Sequence, residues 1–519
     1  MIGAKSIRKQ QAFLRTMNKI FFALFQADSL RKLSLRYYVH IVPIIKLHTF
    51  TMLFFMNLFL LSTFQFVVHL RNQEVKSKRQ NFNYARYANV FQGDDVLPNR
   101  ESKTDAAIIA NQGKTANFML AWPSITTFTL VKGWDKESTI QMKQAVEQVL
   151  LRNPILTGRA KANISGFLNV EISIIPGAHA SHDFVREIDF RKDETNTEDA
   201  NIITDSNLHE MDAVEVLHFM DTFLAPIVPK SENVLSLAMN GGPLFGIDVI
   251  QLTDEYACYA VSMAHCVGDG NTYYQIMEEI NDALNNQMKN SKDLLIWSHP
   301  EIASHEIFPA QFSRNDIERA YGGPFFLGLL KNSINMEKQK KSYIIIDKKK
   351  IENMRKSLSE GSNGNGHLSH NDVITAAICQ ANLSSDIFAF TMNMRERNCH
   401  FGGNFHNEIP FSKKSIEDPF AFRSIIKNGF FYKRDELPTC PFILGQVGRI
   451  SSLATVQKLI KTDKMEVICH SMLSSFVQNV PLDTAFIISM NEAKYVILHN
   501  FREIDLERGL LHDLLWRPS

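Results

Sequence analysis

The chain has 519 residues, 45% apolar and 21% charged, with 24 Gly and 17 Pro. That composition excludes a disordered polymer, a collagen-like fibre and low complexity, and the length suggests two or more core-bearing units. The net charge of +1 conceals an asymmetry: residues 1–80 hold 13 Lys+Arg against 2 Asp+Glu, which leaves 43 against 53 in the other 439. A positive excess confined to the first sixth argues against a global nucleic-acid binder and fits a membrane-proximal tail. The six Cys contain no C-x-x-C pair, which speaks against a disulfide framework and a knuckle-type zinc site.

In chain order, residues 1–30 carry a weak amphipathic stretch suited to a bilayer surface. Leu47–Leu70 is 24 residues without Asp, Glu, Lys or Arg, long enough as a helix to cross a hydrocarbon core of about 30 Å. It predicts one membrane anchor. Asn57, Gln65, Thr51 and Thr63 dilute the run, so a buried hydrophobic helix is the rival. Both flanks are basic, so charge fixes no orientation; a cytosol-facing body is the expectation carried forward. Residues 81–116 read as a tether, 117–300 as a first α/β subdomain, 301–340 as a crossover and 341–519 as a second subdomain.

Within the body, Ser138 reads as the cap of a helix with Ile140, Ala145, Val146, Val149 and Leu150 on one face, ending before Pro154. Residues 191–213, rich in Asn, Asp and Thr, read as a loop or insertion. Phe245–Leu252 and Tyr256–Met263 read as two strands about a turn. Asn271–Asn285 reads as a helix with Tyr274, Met277, Ile280 and Leu284 on one stripe. A strand Ser342–Ile346 precedes helices at Lys349–Leu358 and Asn371–Asn382.

The most informative string is AHCVGDG, residues 264–270. Chance supplies His-x-x-x-Asp-Gly about 0.04 times in a chain of this composition. Here it follows an apolar strand and opens a helix. An imidazole on such a bend, His265, can project into a cleft and act as a general base; Asp269 can hold the local geometry, and Gly270 permits a tight turn. A satisfied buried His beside a helix cap is the bland alternative. Cys266 points elsewhere and reads as packing. Cys399, His400 and His406 lie close in sequence without further ligands, so no metal site is expected. Asn163 and Asn382 open glycosylation sequons, which are uninformative without the compartment. There is no phosphate-binding glycine loop or dinucleotide fingerprint.

The His265-x-x-x-Asp269-Gly270 string resembles the signature of the chloramphenicol-acetyltransferase-like superfamily, which includes plant BAHD and alcohol acyltransferases and nonribosomal peptide condensation domains. Further segments resemble it in order: LLRNPILTGRAK (150–161), GGPLF (241–245), HLSHNDVITAAICQAN (367–382), FTMNMRERN (390–398) with FGGNFHNEIP (401–410), and SMLSSF (471–476). The resemblance implies an α/β fold of two similar subdomains, each a mixed sheet with flanking helices, and a tunnel at their interface with His265 midway. It implies acyl transfer from acyl-CoA, a co-substrate and not a resident cofactor, to a hydroxyl or amine acceptor. His265 would be the base. Asp269 would be structural, paired with Arg395 or, second, Arg397; Ser474 or Ser475 would serve the oxyanion, and Asn404 would line the tunnel.

Two departures matter. The plant members' DFGWG string is missing, with TAFIIS at 484–489 in its place, and position 264 is Ala instead of the second His of wax ester synthase/diacylglycerol acyltransferases. A lipid acceptor and a non-catalytic, membrane-bound binding protein of the same fold remain the alternatives. The sequence shows no carrier domain or second module, which speaks against a large assembly-line enzyme; a monomer is expected. Lys338, Lys340, Lys341, Lys348, Lys349, Lys350, Arg355 and Lys356 form a basic run suited to a polyanionic donor, or simply a solvated helix face.

Overall fold

A computed structural model describes residues 124–163, 169–174, 184–190, 204–224, 243–265, 267–287, 295–297, 339–361, 367–393, 401–403, 406–427, 446–474, 477 and 482–517. The anchor candidate Leu47–Leu70 and the tether lie outside these residues. Among the described residues no helix is long and apolar enough to cross a membrane.

The elements alternate. β1 (Ile125–Lys132) leads to α1 (Lys136–Arg152), then β2 (Gly158–Asn163), β3 (Asn169–Ile174) and β4 (Val185–Asp189). Two short helices follow, α2 (Asp205–Glu210) and α3 (Ala213–Phe219), then the hairpin β5 (Phe245–Gln251) and β6 (Tyr256–Met263), and α4 (Gly270–Leu284). β7 (Ile296–Trp297) lies in the connection to β8 (Ser342–Asp347), α5 (Lys348–Gly361) and α6 (His370–Ala381). β9 (Ile387–Asn393), β10 (Phe401–Gly402) and β11 (His406–Ser412) precede α7 (Lys413–Ile416) and α8 (Pro419–Lys427). The described chain closes with β12 (Val447–Ser452), β13 (Glu466–Met472), β14 (Asp483–Ser489), β15 (Lys494–His499) and α9 (Leu510–Leu514).

Two mixed sheets organise these elements. The first has the order β13-β1-β6-β5-β4, the second β11-β9-β12-β14-β15-β8. In the first, only β4 and β5 run parallel; in the second, β9, β12 and β14 do. β13 comes from the carboxyl-terminal half yet pairs with β1, so the first sheet draws on chain from both sides of the expected boundary. Pro410 sits on β11, an edge strand, the kind of strand in which a residue without an N–H is tolerated.

The helices rest on the sheets through apolar stripes. α4 buries Tyr274, Met277, Ile280 and Leu284, the stripe expected from sequence. α1 differs from expectation at its start: Asp135 is the cap, and Ser138 is the third helical residue, completing a capping box with it. Ile140 is 42% exposed, because at 100° per residue it falls on the face opposite Val149. Asp205–Glu210 is helical where a loop was expected over 191–213, and a second helix, Ala213–Phe219, starts at the end of that span. Thr204 caps α2 and Asp212 caps α3 with Glu215, so the Thr and Asp that suggested a loop are the residues that start helices. TAFIIS belongs to β14, buried between β12 and β15.

Candidate active site

β6 is buried along its length and pairs with β5 from Phe245 opposite Met263. One further ladder bond forms, Ala264 N–H to the Leu244 carbonyl (2.7 Å); Val267 N–H then closes back on the Ala264 carbonyl (2.9 Å). His265 sits on that bend. Asp269, with extended backbone, ends it by accepting a hydrogen bond from Thr272 N–H (3.0 Å), and α4 begins. Gly270 packs closely at the start of α4: a Cβ there would lie 2.5 Å from Leu453 Cδ2, the end of a side chain that follows β12.

The second half of the chain clasps the bend. Gly403, just past β10, has φ +127°, a conformation side chains disfavour. Its carbonyl accepts from Asp269 N–H (3.2 Å) and Thr272 Oγ1 (2.8 Å), and its N–H donates to Thr272 Oγ1 (3.1 Å). β10 is itself held by β7, with Phe401 opposite Ile296. His406 opens β11 and is 6% exposed; its Nδ1 lies 3.8 Å from Asp269 Oδ2, and its ring centre is 6.1 Å from that of His265. Arg449 on β12 is 3% exposed, donates from Nε to Thr391 Oγ1 (3.3 Å) and lies 5.4 Å from the centre of the Phe486 ring.

These surroundings fix the charge of His265. Burial pushes its pKa down to about 4; the imidazole of His406 and the guanidinium of Arg449 add to the fall, and the Asp269 carboxylate partly opposes it. The ring is neutral at pH 7, as a general base must be. It is 5% exposed, and Asp269 is 4% exposed.

Among the expected site residues, His265, Asp269 and Gly270 come together as one unit. Arg395, Arg397, Asn404, Ser475 and Cys266 lie outside the described residues. Ser474 is described and buried, but its bonds run elsewhere. Its Oγ accepts from Lys341 Nζ (2.8 Å), and its N–H donates to Asp221 Oδ1 (3.1 Å). Asp221 in turn accepts from the Tyr343 hydroxyl (2.5 Å). Leu473 N–H bonds the Thr126 carbonyl beside β6, so Ser474 leaves the sheet at the same end as His265, two strands or roughly 10 Å away.

The basic run does not form one open face. Lys341 is held by Ser474, Lys348 by Ser489 and Asn491, Lys350 by the Leu515 carbonyl, and Arg355 by Glu352; Lys338 lies outside the described residues. The sequence reads His406 only as a poor metal ligand and does not single out Arg449. Among the described residues no group of three or more His, Cys, Asp or Glu is placed to hold a metal ion.

No protein-family model matches the chain, and no curated protein sequence does. Solved structures do. TRI101 of F. sporotrichioides, complexed with coenzyme A and T-2, is 13% identical; the match covers 79% of this chain and 98% of that one, with a TM-score of 0.51. TRI101 of F. graminearum, complexed with coenzyme A and T-2 mycotoxin, is 11% identical over 77% of this chain and 97% of that one, with a TM-score of 0.53. At such identities the likeness speaks to architecture alone, and with the two mixed sheets it gives the chain the chloramphenicol-acetyltransferase-like fold.

Proposed function

We propose that this chain is an acyltransferase that moves an acyl group from an acyl-CoA thioester to a hydroxyl or amine, with His265 as general base. The observation that carries the reading is a neutral imidazole on the bend between β6 and α4, clasped through Gly403 by the other half of the fold. The coenzyme A complexes of similar fold support the choice of donor.

In the proposed reaction the neutral ring takes the proton of the acceptor as its oxygen or nitrogen attacks the thioester carbon. The tetrahedral oxyanion then collapses, the C–S bond breaks, and the departing thiolate takes the proton back from the imidazolium. Acyl-acceptor and free thiol leave, and the ring is neutral again. Asp269 lowers the cost of the transient imidazolium by its charge and fixes the bend by its cap. Arg395 stays proposed as a partner of Asp269, and Asn404 and Ser475 stay proposed as contacts of the oxyanion or tunnel. Ser474 would have to release Lys341 to join them.

The test is thiol release from a panel of acyl-CoAs and alcohols or amines, lipid alcohols included, using the full chain in detergent. His265→Ala is expected to lower turnover about 10²–10⁴-fold; unchanged turnover removes His265 from the mechanism. One observation favours a second reading. With 5% of His265 exposed, two reactants must open a route to it, and a non-catalytic binding protein of this fold needs none. Absence of thiol release across the panel selects that reading. The anchor at 47–70 is a separate proposal, tested by whether the full chain leaves a membrane pellet with salt or only with detergent.

A further inference from the structure

His406 is not used by the mechanism above, yet its ring neighbours that of the proposed base. The residue is 6% exposed, and neither ring nitrogen has a hydrogen-bond partner among the described residues. Buried polar groups in native proteins are almost always bonded, so an orphan imidazole calls for a reason. Two other buried imidazoles obey the rule. His470 uses both nitrogens, on Thr129 Oγ1 (2.8 Å) and the Tyr274 hydroxyl (3.0 Å), and His499 Nδ1 accepts from Phe501 N–H (3.3 Å). The orphan lies 6.1 Å, centre to centre, from the base.

Its polarity follows from its neighbour. The Asp269 carboxylate, 3.8 Å from Nδ1, favours the proton on that nitrogen, which leaves Nε2 with its lone pair. A buried lone pair without a donor costs free energy that a ligand donor would recover. A small acceptor molecule touching His265 is within reach of a ring 6.1 Å away.

We propose that His406 Nε2 accepts a hydrogen bond from a second hydroxyl or amino group of the acceptor. The acceptors this chain prefers are then diols or amino alcohols with the two groups on adjacent or nearby carbons. One group gives its proton to His265 and is acylated; the other is held, unreacted, by His406. His406 is thereby a specificity-determining residue that touches substrate. This inference rests on the acyltransferase reading above and adds the acceptor class to it.

The experiment compares matched acceptors that differ only in the second group: cyclohexanol against cis-cyclohexane-1,2-diol, and 1-hexanol against hexane-1,2-diol and 1-amino-2-hexanol. Thiol release from acetyl-CoA and octanoyl-CoA by the full chain gives kcat/KM for each. The wild type is expected to prefer the bifunctional member by about 10–100-fold, the size of discrimination a buried unpaired polar group imposes. His406→Leu should erase that preference, lowering kcat/KM for the bifunctional member about 10–100-fold more than for its mono-alcohol counterpart. His406→Gln, whose side-chain oxygen can accept, should restore part of it and guards against a folding defect in the leucine variant. A wild type that does not discriminate, or a His406→Leu variant that slows both members equally, overturns the inference and leaves the acyltransferase reading standing. No thiol release with any acceptor defeats that reading, and the inference with it.

Discussion

The first sheet holds two buried imidazoles in different settings, and the contrast shows what burial does and does not accomplish. His470 lies within β13, and His265 leaves the end of β6. Burial lowers both pKa values, to about 3 and about 4 respectively. Loss of basicity therefore does not distinguish a reactive histidine from a structural one. The surroundings do. His470 is locked between a threonine and a tyrosine in the sheet interior, whereas His265 sits where the sheet stops, beside His406 and on a bend bonded to Gly403. One environment spends the ring on the fold; the other holds it at the seam between two halves of chain.

The largest expected effects separate those two environments directly. His265→Ala should cut turnover about 10²–10⁴-fold and leave the melting temperature nearly unchanged. His470→Leu should do the reverse. Thr129 and Tyr274 lose their partner, which costs about 2–4 kcal/mol of stability, while turnover per folded molecule stays within twofold. Denaturant melts and thiol-release rates on both variants decide it. A stable His470→Leu protein without activity would erase the distinction.

Acid should expose what the two sites share. His265, His470 and His499 all have folded pKa values depressed below the ordinary imidazole value, so below about pH 6.5 the unfolded chain binds more protons than the folded one. Their contribution is complete above that value and is lost as pH falls toward about 4, at about 1.4 kcal/mol per pH unit for each ring. His470→Leu should therefore flatten the fall in stability between pH 6 and 4 by one such increment, and an unchanged slope would remove His470 from the account. With His265 as the proposed base, kcat/KM for an alcohol acceptor, corrected for folded fraction, should be flat from pH 6 to 8, with its acid limb near pH 4.

The end of the sheet was the more legible of the two regions, but only where its geometry is local. His265, Asp269 and the start of α4 follow from a strand, a bend and a cap within ten consecutive residues, and such signals survive in sequence. The clasp does not. Gly403, His406 and Arg449 reach the bend through pairing between distant strands, and nothing in their local spacing announces it. The same holds for β13, whose place beside β1 is set by the register of two remote segments. Capping residues misled in the other direction: Thr204 and Asp212 looked like loop and start helices, because one side-chain chemistry serves both.

A pair of threonines gives the smallest and sharpest test. Thr272 Oγ1 binds the N–H and carbonyl of Gly403 at the seam, and Thr127 Oγ1 binds the Tyr273 hydroxyl inside the sheet at 2.6 Å. Valine at either position keeps the branched shape and removes the hydroxyl, so each change should cost about 1–2 kcal/mol. The consequences should part at the chemistry. Thr272→Val loosens Gly403 against Asp269, the residue next to both imidazoles, and should slow thiol release about three- to tenfold, since small misplacements of reacting groups are expensive. Thr127→Val disturbs no group at the bend and should leave the rate per folded molecule within experimental error. Equal rates for two equally destabilised variants would mean that the clasp holds the fold together without positioning His265.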